Sequence, residues 1–292
     1  MKKVFTIIIS LMLVFAVTAC GTGSTTTAAT TAGTTTAGAT TTAGTTAAKL
    51  SGTLEVAGST SVAPLAQDIA DAFMDENPDV TINIQALGSS AGIKAPVDKS
   101  APIGMSSRNL KDEEKAWGLD EHVIAIDGIA VVSHPDNAVK GMTKEQLKKI
   151  YVGEIKNWKE VGGEDAEIIV ISREEGSGTR GAFEELVGFE GELRVDALIG
   201  DGNGNVKSNL QTSKNAIAYL SLGYIDDKTK VLEIDGFAGT VENIVSGKYP
   251  ISRPLMMVTL GDLDPVAKAY LDFCMSDEGQ KIVAEKYISV KK

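Results

Sequence analysis

Three loops rich in glycine, serine and threonine each follow a run of β-forming residues and precede a helical pattern. They contain Ser59-Thr60-Ser61, Ser89-Ser90 and Ser177-Gly178-Thr179. The first turn of a helix presents unpaired backbone N–H groups and a partial positive charge, and hydroxyls add further donors. Serine and threonine also act as simple helix caps, which is the favoured interpretation of a single such loop. Three of them in one chain predict a shared anion site.

Two charged residues accompany these loops. Arg173 stands directly before the third loop, and its planar guanidinium suits an oxyanion that accepts two hydrogen bonds at once. Asp127 lies inside the apolar run 123–133, where a carboxylate is costly unless it is paired. It is therefore a second candidate for the site. The alternative is a buried carboxylate that backbone donors or Arg108 satisfy.

The segments around these loops alternate between short β-type runs and amphipathic helical patterns. This alternation predicts an α/β architecture with a mostly parallel sheet. Open sheets of this kind bind ligands at the carboxyl ends of their strands. The predicted strands are residues 54–57, 80–87, 103–105, 123–133 and 167–172, and the clearest predicted helices are residues 62–77 and 179–186.

Residues 1–19 have the pattern of a secretory signal peptide. Lys2 and Lys3 precede the apolar run 4–17, which is shorter than a membrane span requires. Cys20 follows small residues and precedes a glycine, which resembles the lipobox of bacterial lipoproteins. The resemblance implies cleavage before Cys20 and attachment of two acyl chains to this residue, which hold a protein on a membrane more stably than one chain does.

Residues 20–48 form the predicted anchor and a low-complexity segment. After Cys20 the chain contains only Gly, Ser, Thr and Ala up to residue 48. Such a composition cannot bury enough apolar surface to offset chain entropy, so we expect a disordered tether. The remaining residues, 49–292, are long enough for one large domain or two smaller ones.

The composition of the whole chain disfavours several kinds of site. The net charge of -11 disfavours nucleic acid as a partner. His122 and His134 are the only histidines, and neither has another His or Cys at metal-ligand spacing, which disfavours a zinc site and histidine-based catalysis. Cys274 is the only cysteine after Cys20 and fits a core position. We expect neither a metal nor a cofactor.

The loops and their order resemble those of the PstS-type phosphate-binding proteins. The segments that carry the resemblance are residues 58–65 (GSTSVAPL), 88–93 (GSSAGI), 103–108 (IGMSSR), 173–180 (REEGSGTR), 215–219 and 249–255. The resemblance covers the whole body and implies a type II periplasmic-binding-protein fold, with two α/β lobes joined by two crossing strands and the anion in the cleft. We expect the crossings near residues 131–133 and 252–258. Lobe I then comprises residues 49–132 and 253–292, and lobe II comprises residues 133–252.

The resemblance also implies a set of phosphate contacts. Carried over position by position, these are Thr60, Ser61, Ser89, Ser106 or Ser107, Arg173, Ser177, Gly178 and Thr179. It further implies that Glu175 braces the Arg173 guanidinium, and we expect Glu174 to lie in a solvated acidic turn.

One position departs from the family pattern. Many members have Asp directly after the serine of the 103–108 segment, whereas this chain has Ser107 followed by Arg108. Asp127 stands where such members have a small residue, so we expect the carboxylate to have moved to this strand. A carboxylate there accepts the proton of monohydrogen phosphate and repels sulfate, which carries none at neutral pH. The role of Arg108 stays open.

The expected function is that of an extracellular receptor, a monomer held on the cell membrane by its lipid anchor. It binds inorganic phosphate, delivers it to an ABC transporter permease and catalyses nothing. The nearest alternative is a receptor for another tetrahedral oxyanion, sulfate or molybdate. A hydrolase that uses Ser61 or Ser177 as nucleophile lacks a neighbouring histidine base. An adhesin is the remaining alternative, because an anchor and a tether suit it equally.

Overall fold

A computed structural model describes residues 49–291. The signal peptide, Cys20 and the tether predicted for residues 1–48 lie outside the described residues. Between residues 49 and 291 no helix combines the length and the apolar character needed to cross a membrane.

The first half of the body alternates strands and helices as the sequence predicts. Its elements are β1 (Gly52–Gly58), α1 (Ala63–Glu76), β2 (Val80–Ala86), α2 (Ser89–Asp98), β3 (Ile103–Ser106), α3 (Asp112–Lys115) and β4 (Asp120–Ser133).

The second half continues this alternation and then returns to the first sheet. Its elements are β5 (Gly141–Met142), α4 (Lys144–Val152), β6 (Ile169–Arg173), α5 (Gly178–Val187), β7 (Leu198–Gly200), α6 (Gly202–Gln211), β8 (Ala216–Ser221), β9 (Lys230–Val231), β10 (Glu233–Ile234), β11 (Phe237–Ala238), α7 (Val241–Val245), β12 (Ser252–Thr259), α8 (Pro265–Cys274), α9 (Asp277–Lys286) and β13 (Ile288–Ser289).

The main sheet runs through both halves of the body and is mixed, so the prediction of a mostly parallel sheet is wrong: the long strands β4 and β12 pair antiparallel with their neighbours. Its strand order is β2-β1-β3-β12-β4-β8-β6-β7, with β9 and β13 also paired to β4. β1 is parallel to β2 and β3, and β6 is parallel to β7 and β8. The long strands β4 and β12 are antiparallel to each other. The parallel strands β1–β3 and the parallel strands β6–β8 thus lie on opposite sides of the antiparallel pair β4 and β12. This arrangement places the Gly/Ser loops of the two parallel sets opposite each other.

β4 is the strand that the two halves share. Residues 120–128 pair with β12, and residues 129–133 pair with β8. The hydrophobic cores change over at the same place: Ala125 and Leu255 belong to one core, and Ile129 and Ile251 belong to the other. The prediction of two α/β lobes joined by crossing strands is confirmed.

The change of partner in β4 comes earlier than the crossing expected at residues 131–133. It lies at Gly128 and Ile129. Because the apolar run continues without interruption, composition alone does not mark this point. The local signal is Gly128 itself, where a Cβ would collide with Ile244 and press on Leu222. The lobe boundaries at 132/133 and 252/253 stay predictions.

Three glycines allow β1, α2 and β3 to approach each other closely. A Cβ on Gly58 would collide with the Met105 carbonyl and the Gly92 Cα, and one on Gly104 would collide with the Gly92 carbonyl. Gly58 also has a φ of +140°, a conformation that side chains disfavour. Substitution of any of the three therefore pushes apart the elements that carry the serine loops.

Candidate anion-binding site

The loops after β1 and β3 and the start of α2 bring three serine hydroxyls together. Ser59 Oγ donates to Ser107 Oγ at 2.9 Å, and Ser89 Oγ lies 3.2 Å from Ser107 Oγ. The Ser107 N–H donates to Ser89 Oγ at 3.0 Å. All three residues are buried. The sequence expectation that Ser89 and Ser107 share a site is consistent with this geometry.

The start of α5 meets these loops from the other lobe. Thr179 Oγ1 lies 2.7 Å from Ser61 Oγ. Gly178 lies so close to Ser89 and Ser107 that a Cβ would collide with Ser89 Oγ. Ser177 caps the helix by accepting from the Arg180 N–H at 3.2 Å. The N-terminus of α5, where the first N–H groups of a helix have no intrahelical acceptor, therefore faces the serine hydroxyls of lobe I.

Arg173 ends β6 and is only 1% exposed. Its Nη2 donates to Thr60 Oγ1 at 3.0 Å, which links the two lobes. Its Nη1 has no hydrogen-bond partner among residues 49–291. A buried guanidinium nitrogen without a protein partner is costly, and an oxyanion would satisfy it.

Glu174, not Glu175, braces Arg173. Its carboxylate accepts from Arg173 Nε at 2.8 Å and Nη2 at 2.7 Å, and from the Gly202 N–H at 3.1 Å. Glu175 is exposed. The expectations for both residues are therefore wrong: strand β6 ends one residue later than the predicted strand, and the residue after Arg173 turns back toward its guanidinium.

The electrostatics of Glu174 follow from this pairing. Partial burial by itself raises the pKa of the Glu174 carboxyl. The hydrogen bonds and positive charge of Arg173, together with the Gly202 N–H, outweigh it and lower the pKa below its usual 4.5. The carboxylate is thus fully ionised at neutral pH.

Asp127 is fully buried and pairs with Arg253. Asp127 Oδ2 accepts from Arg253 Nη2 at 3.0 Å, and Oδ1 accepts from the Leu222 N–H at 3.1 Å. Burial raises the pKa of Asp127, while the Arg253 charge opposes the rise. Arg253 lies between Asp127 and Ser61, since its Nη2 also donates to Ser61 Oγ at 3.1 Å. A direct contact of Asp127 with an anion stays a prediction.

Arg108 and Ser106 are occupied by other contacts. Arg108 forms a two-pronged pair with Glu114, at 2.7 and 2.8 Å, and both residues are buried. Arg108 Nη2 also donates to Ser90 Oγ at 3.2 Å. Ser106 Oγ donates to the Arg108 carbonyl at 2.8 Å. Of the two serines left open by the sequence, Ser107 is the one whose hydroxyl meets Ser59 and Ser89.

Three residues of this region are not predicted as site residues from the sequence. Asn203, at the start of α6, donates through Nδ2 to Ser61 Oγ at 2.9 Å and to Thr60 Oγ1 at 3.2 Å. Tyr224 donates its hydroxyl to the Thr60 carbonyl at 2.9 Å. Arg253 is the third. The sequence does contain a signal for Arg253, because it is a charged residue beside an apolar run, as Asp127 is.

The chain is similar to known proteins over most of its length. A family model described as a PBP superfamily domain matches residues 22–278. The phosphate-binding protein PstS of Bacillus subtilis is 36% identical over 247 residues, which are 83% of this chain and 82% of that relative.

Two solved structures extend the similarity to the fold. One, from Clostridium perfringens, is of a protein assigned as a phosphate ABC transporter substrate-binding protein and contains bound phosphate. It is 48% identical with a TM-score of 0.81, covering 82% of this chain and all of that one. An ABC-type phosphate transport receptor from Vibrio cholerae is 32% identical with a TM-score of 0.69, with 82% and 100% coverage.

Proposed function

Since this chain belongs to the PstS family of phosphate-binding proteins within the PBP superfamily, we propose that it captures inorganic phosphate outside the cell and delivers it to an ABC transporter permease. The observation that carries the proposal is the buried Arg173, whose Nη1 has no partner among the described residues and whose Nη2 donates to the Thr60 hydroxyl of the other lobe. A tetrahedral oxyanion supplies the missing acceptor and matches the convergence of hydroxyl and N–H donors.

The proposed phosphate contacts come from both lobes. Lobe I supplies hydroxyls of the loops after β1 and β3 and of the start of α2, and lobe II supplies the guanidinium at the end of β6 and the first turn of α5. The residues are Thr60, Ser61, Ser89, Ser107, Arg173, Ser177, Gly178 and Thr179. Ser106 supports this set from behind through its hydrogen bonds with the Arg108 backbone.

The proposed role is binding without catalysis. A serine nucleophile needs an adjacent base. His122 contacts Thr259, and His134 lies beside Asp136. Among the described residues, neither histidine forms a hydrogen bond with the hydroxyl of Ser61 or Ser177. Hydrolysis of a phosphoester by the purified protein would contradict this part of the proposal.

The proposed location is the extracellular face of the cell membrane. Residues 1–19 would direct export, the two acyl chains on Cys20 would hold the protein at the surface, and residues 21–48 would separate the body from the membrane. We propose that the receptor acts as a monomer, so that each copy presents its own cleft to the permease.

Titration of the phosphate-stripped full chain with phosphate, sulfate and molybdate tests the function. Tight binding of phosphate with weak binding of the other two is expected. Preference for sulfate or molybdate would reassign the ligand, and failure to bind any oxyanion would favour an adhesin.

A further inference from the structure

We propose that Arg253 is a second guanidinium of the anion site and that Asp127 is its positioning residue. This inference rests on the phosphate-binding function proposed above. Arg253 is the second residue of β12 and is in register with Asp127 of β4, so the pair joins the two strands that cross between the lobes. Only 2% of the Arg253 side chain and none of the Asp127 side chain is exposed.

The Arg253 guanidinium reaches two of the loops that would hold the anion. Nη2 donates to Ser61 Oγ and Nη1 to the Ser107 carbonyl, both at 3.1 Å. Ser61 Oγ is also the atom that meets Thr179 across the cleft. An anion oxygen at hydrogen-bond distance from Ser61 Oγ therefore lies within about 6 Å of Nη2. Opposite charges at this separation attract strongly in a buried site.

Arg173 and Arg253 donate hydrogen bonds to two consecutive residues of the loop after β1, so two cations lie beside this loop. Arg173 donates to Thr60 Oγ1 at 3.0 Å, and Arg253 donates to Ser61 Oγ. Burial lowers the pKa of Arg253, Asp127 opposes this, and the positive charge of Arg173 lowers the pKa further. Two cations that repel each other inside the protein are stabilised when an anion lies between them.

The existing hydrogen bonds of the two arginines leave donors for the anion. Arg173 Nη1 has no partner in the described part of the chain. Arg253 Nη1 carries two N–H groups, and the Ser107 carbonyl is its one partner within residues 49–291. Both side chains can donate to phosphate oxygens without giving up the contacts that hold them.

The contacts of Asp127 are those of a residue that fixes Arg253. Oδ2 accepts from both Nη2 and Nε of Arg253, the latter at 3.4 Å, and Oδ1 accepts from the Leu222 N–H. A guanidinium held in this way loses little freedom when it binds an anion. This geometry favours a positioning role for Asp127 over the acceptance of a phosphate proton.

The two possible roles of Asp127, accepting the phosphate proton or positioning Arg253, predict different effects of Asp127→Asn on anion affinity. If Asp127 accepts the phosphate proton, Asp127→Asn lowers the ratio of phosphate to sulfate affinity. If Asp127 positions Arg253, the same change weakens both anions by the same factor. In that case it has no further effect once Arg253 has been replaced.

Calorimetric titration of phosphate and of sulfate into the full chain, purified in detergent and stripped of phosphate, distinguishes these cases. The variants are Arg253→Gln, Asp127→Asn and the double variant. Arg194→Gln is the matched control, because Arg194 is similarly buried and pairs with Asp196 but touches none of the loops.

We expect Arg253→Gln to weaken phosphate about 10- to 100-fold, the double variant to match it, and Arg194→Gln to bind as wild type does. A wild-type affinity in folded Arg253→Gln would overturn the inference, as would a change of the anion ratio in Asp127→Asn. If Arg253→Gln does not fold, the double variant gives the same comparison, because it leaves no buried charge unpaired. Wild-type protein that binds no phosphate would instead refute the proposed function.

Discussion

Ser61 Oγ lies 2.7 Å from Thr179 Oγ1, and this contact joins the loop after β1 to the first turn of α5. The two residues belong to different lobes, and both are buried. Asn203 and Arg253 add donors to the same Ser61 oxygen. The two lobes therefore meet through a polar network at the point where the proposed anion would be enclosed.

The Ser61 and Thr179 hydroxyls should act together on phosphate affinity. We expect Ser61→Ala and Thr179→Val each to weaken phosphate about tenfold, and the double variant to lose less than the product of the two. Residues in one hydrogen-bond network are not additive. Calorimetric titration of the four proteins measures this coupling, and Ser208→Ala, an exposed serine on α6, is the control. Strictly additive losses would mean that the two hydroxyls act independently.

Arg173 should contribute more to phosphate affinity than any single hydroxyl. Arg173→Gln removes a buried cation and its Nη1 donors, which have no partner between residues 49 and 291, and charge-assisted hydrogen bonds contribute about 1.5–3 kcal/mol each. A loss of at least about 100-fold follows from two such bonds. Arg173→Lys keeps the charge without the two-pronged geometry and should recover part of the loss. Titration of both variants with phosphate checks the order, and equal affinities of wild type and Arg173→Gln would remove Arg173 from the site.

Glu174 and Glu175 are adjacent acidic residues, so substitutions at the two positions can be compared for their effect on stability. Glu174→Gln should lower the free energy of unfolding by about 1–3 kcal/mol, because Arg173 loses its carboxylate partner. Glu175→Gln, at an exposed position, should stay within about 0.5 kcal/mol of wild type. Urea unfolding in phosphate-free buffer measures both. Equal effects of the two substitutions would contradict the assignment of Glu174 as the brace.

The contribution of Glu174 should also depend on pH. Its folded-state pKa is lowered below 4.5, so its stabilisation is present above pH 4.5 and is lost as the pH falls through the lowered value. The gap in unfolding free energy between wild type and Glu174→Gln should therefore narrow below pH 4.5. Urea unfolding at neutral and acidic pH checks this, and a gap that widens in acid would have the wrong sign.

The sequence predicts the fold well because its signals are local. The strand at β1, the helix at α1 and the long strand β4 appear where apolar periodicity and Gly/Pro breaks place them. The early end of pairing between β4 and β12 could not be predicted in this way. Strand partners depend on tertiary contacts. The apolar run has the same character before and after Gly128, although it pairs with β12 before this point and with β8 after it.

The site is predicted less completely than the fold. Loop composition singles out the hydroxyls and Arg173, because these lie at helix N-termini and at a strand end, and their contact with an anion stays a prediction. Glu174 and Glu175 are adjacent acidic residues in a turn, and only the backbone path decides which of them faces Arg173. Asn203 and Arg253 are distant in sequence from the loop they contact, so no spacing rule connects them to Ser61.

Membrane attachment depends on Cys20 in this proposal. Cys20→Ser should release the body into the medium or leave it unprocessed, because the acyl chains are its proposed hold on the membrane. Fractionation of cells followed by immunoblotting measures the change. Cys274→Ala is the control, since it removes the other cysteine, which lies buried in α8. Equally firm membrane association of Cys20→Ser and wild type would contradict lipidation at this residue.

Loss of the Asp127–Arg253 ion pair should change how the free energy of unfolding depends on pH. Arg253→Gln leaves a buried carboxylate without its cation, a change that costs about 3–5 kcal/mol when the carboxylate is ionised. Burial already raises the pKa of Asp127 in the presence of Arg253, and loss of that charge raises it further.

A carboxyl with a raised folded-state pKa destabilises the protein as the pH rises through that value, because the unfolded chain ionises more easily. The loss of unfolding free energy in Arg253→Gln relative to wild type should therefore be small near pH 4 and grow toward pH 8.

Tyr287 also lies near Asp127, but burial raises its pKa, so it stays neutral over this range. In Asp127→Asn/Arg253→Gln no carboxyl remains to titrate, and its deficit should not change with pH in this way. Urea unfolding of the three proteins at pH 5 and pH 8, without phosphate, checks the slope. A deficit of Arg253→Gln that is the same at both values would mean that Asp127 carries no charge for Arg253 to balance.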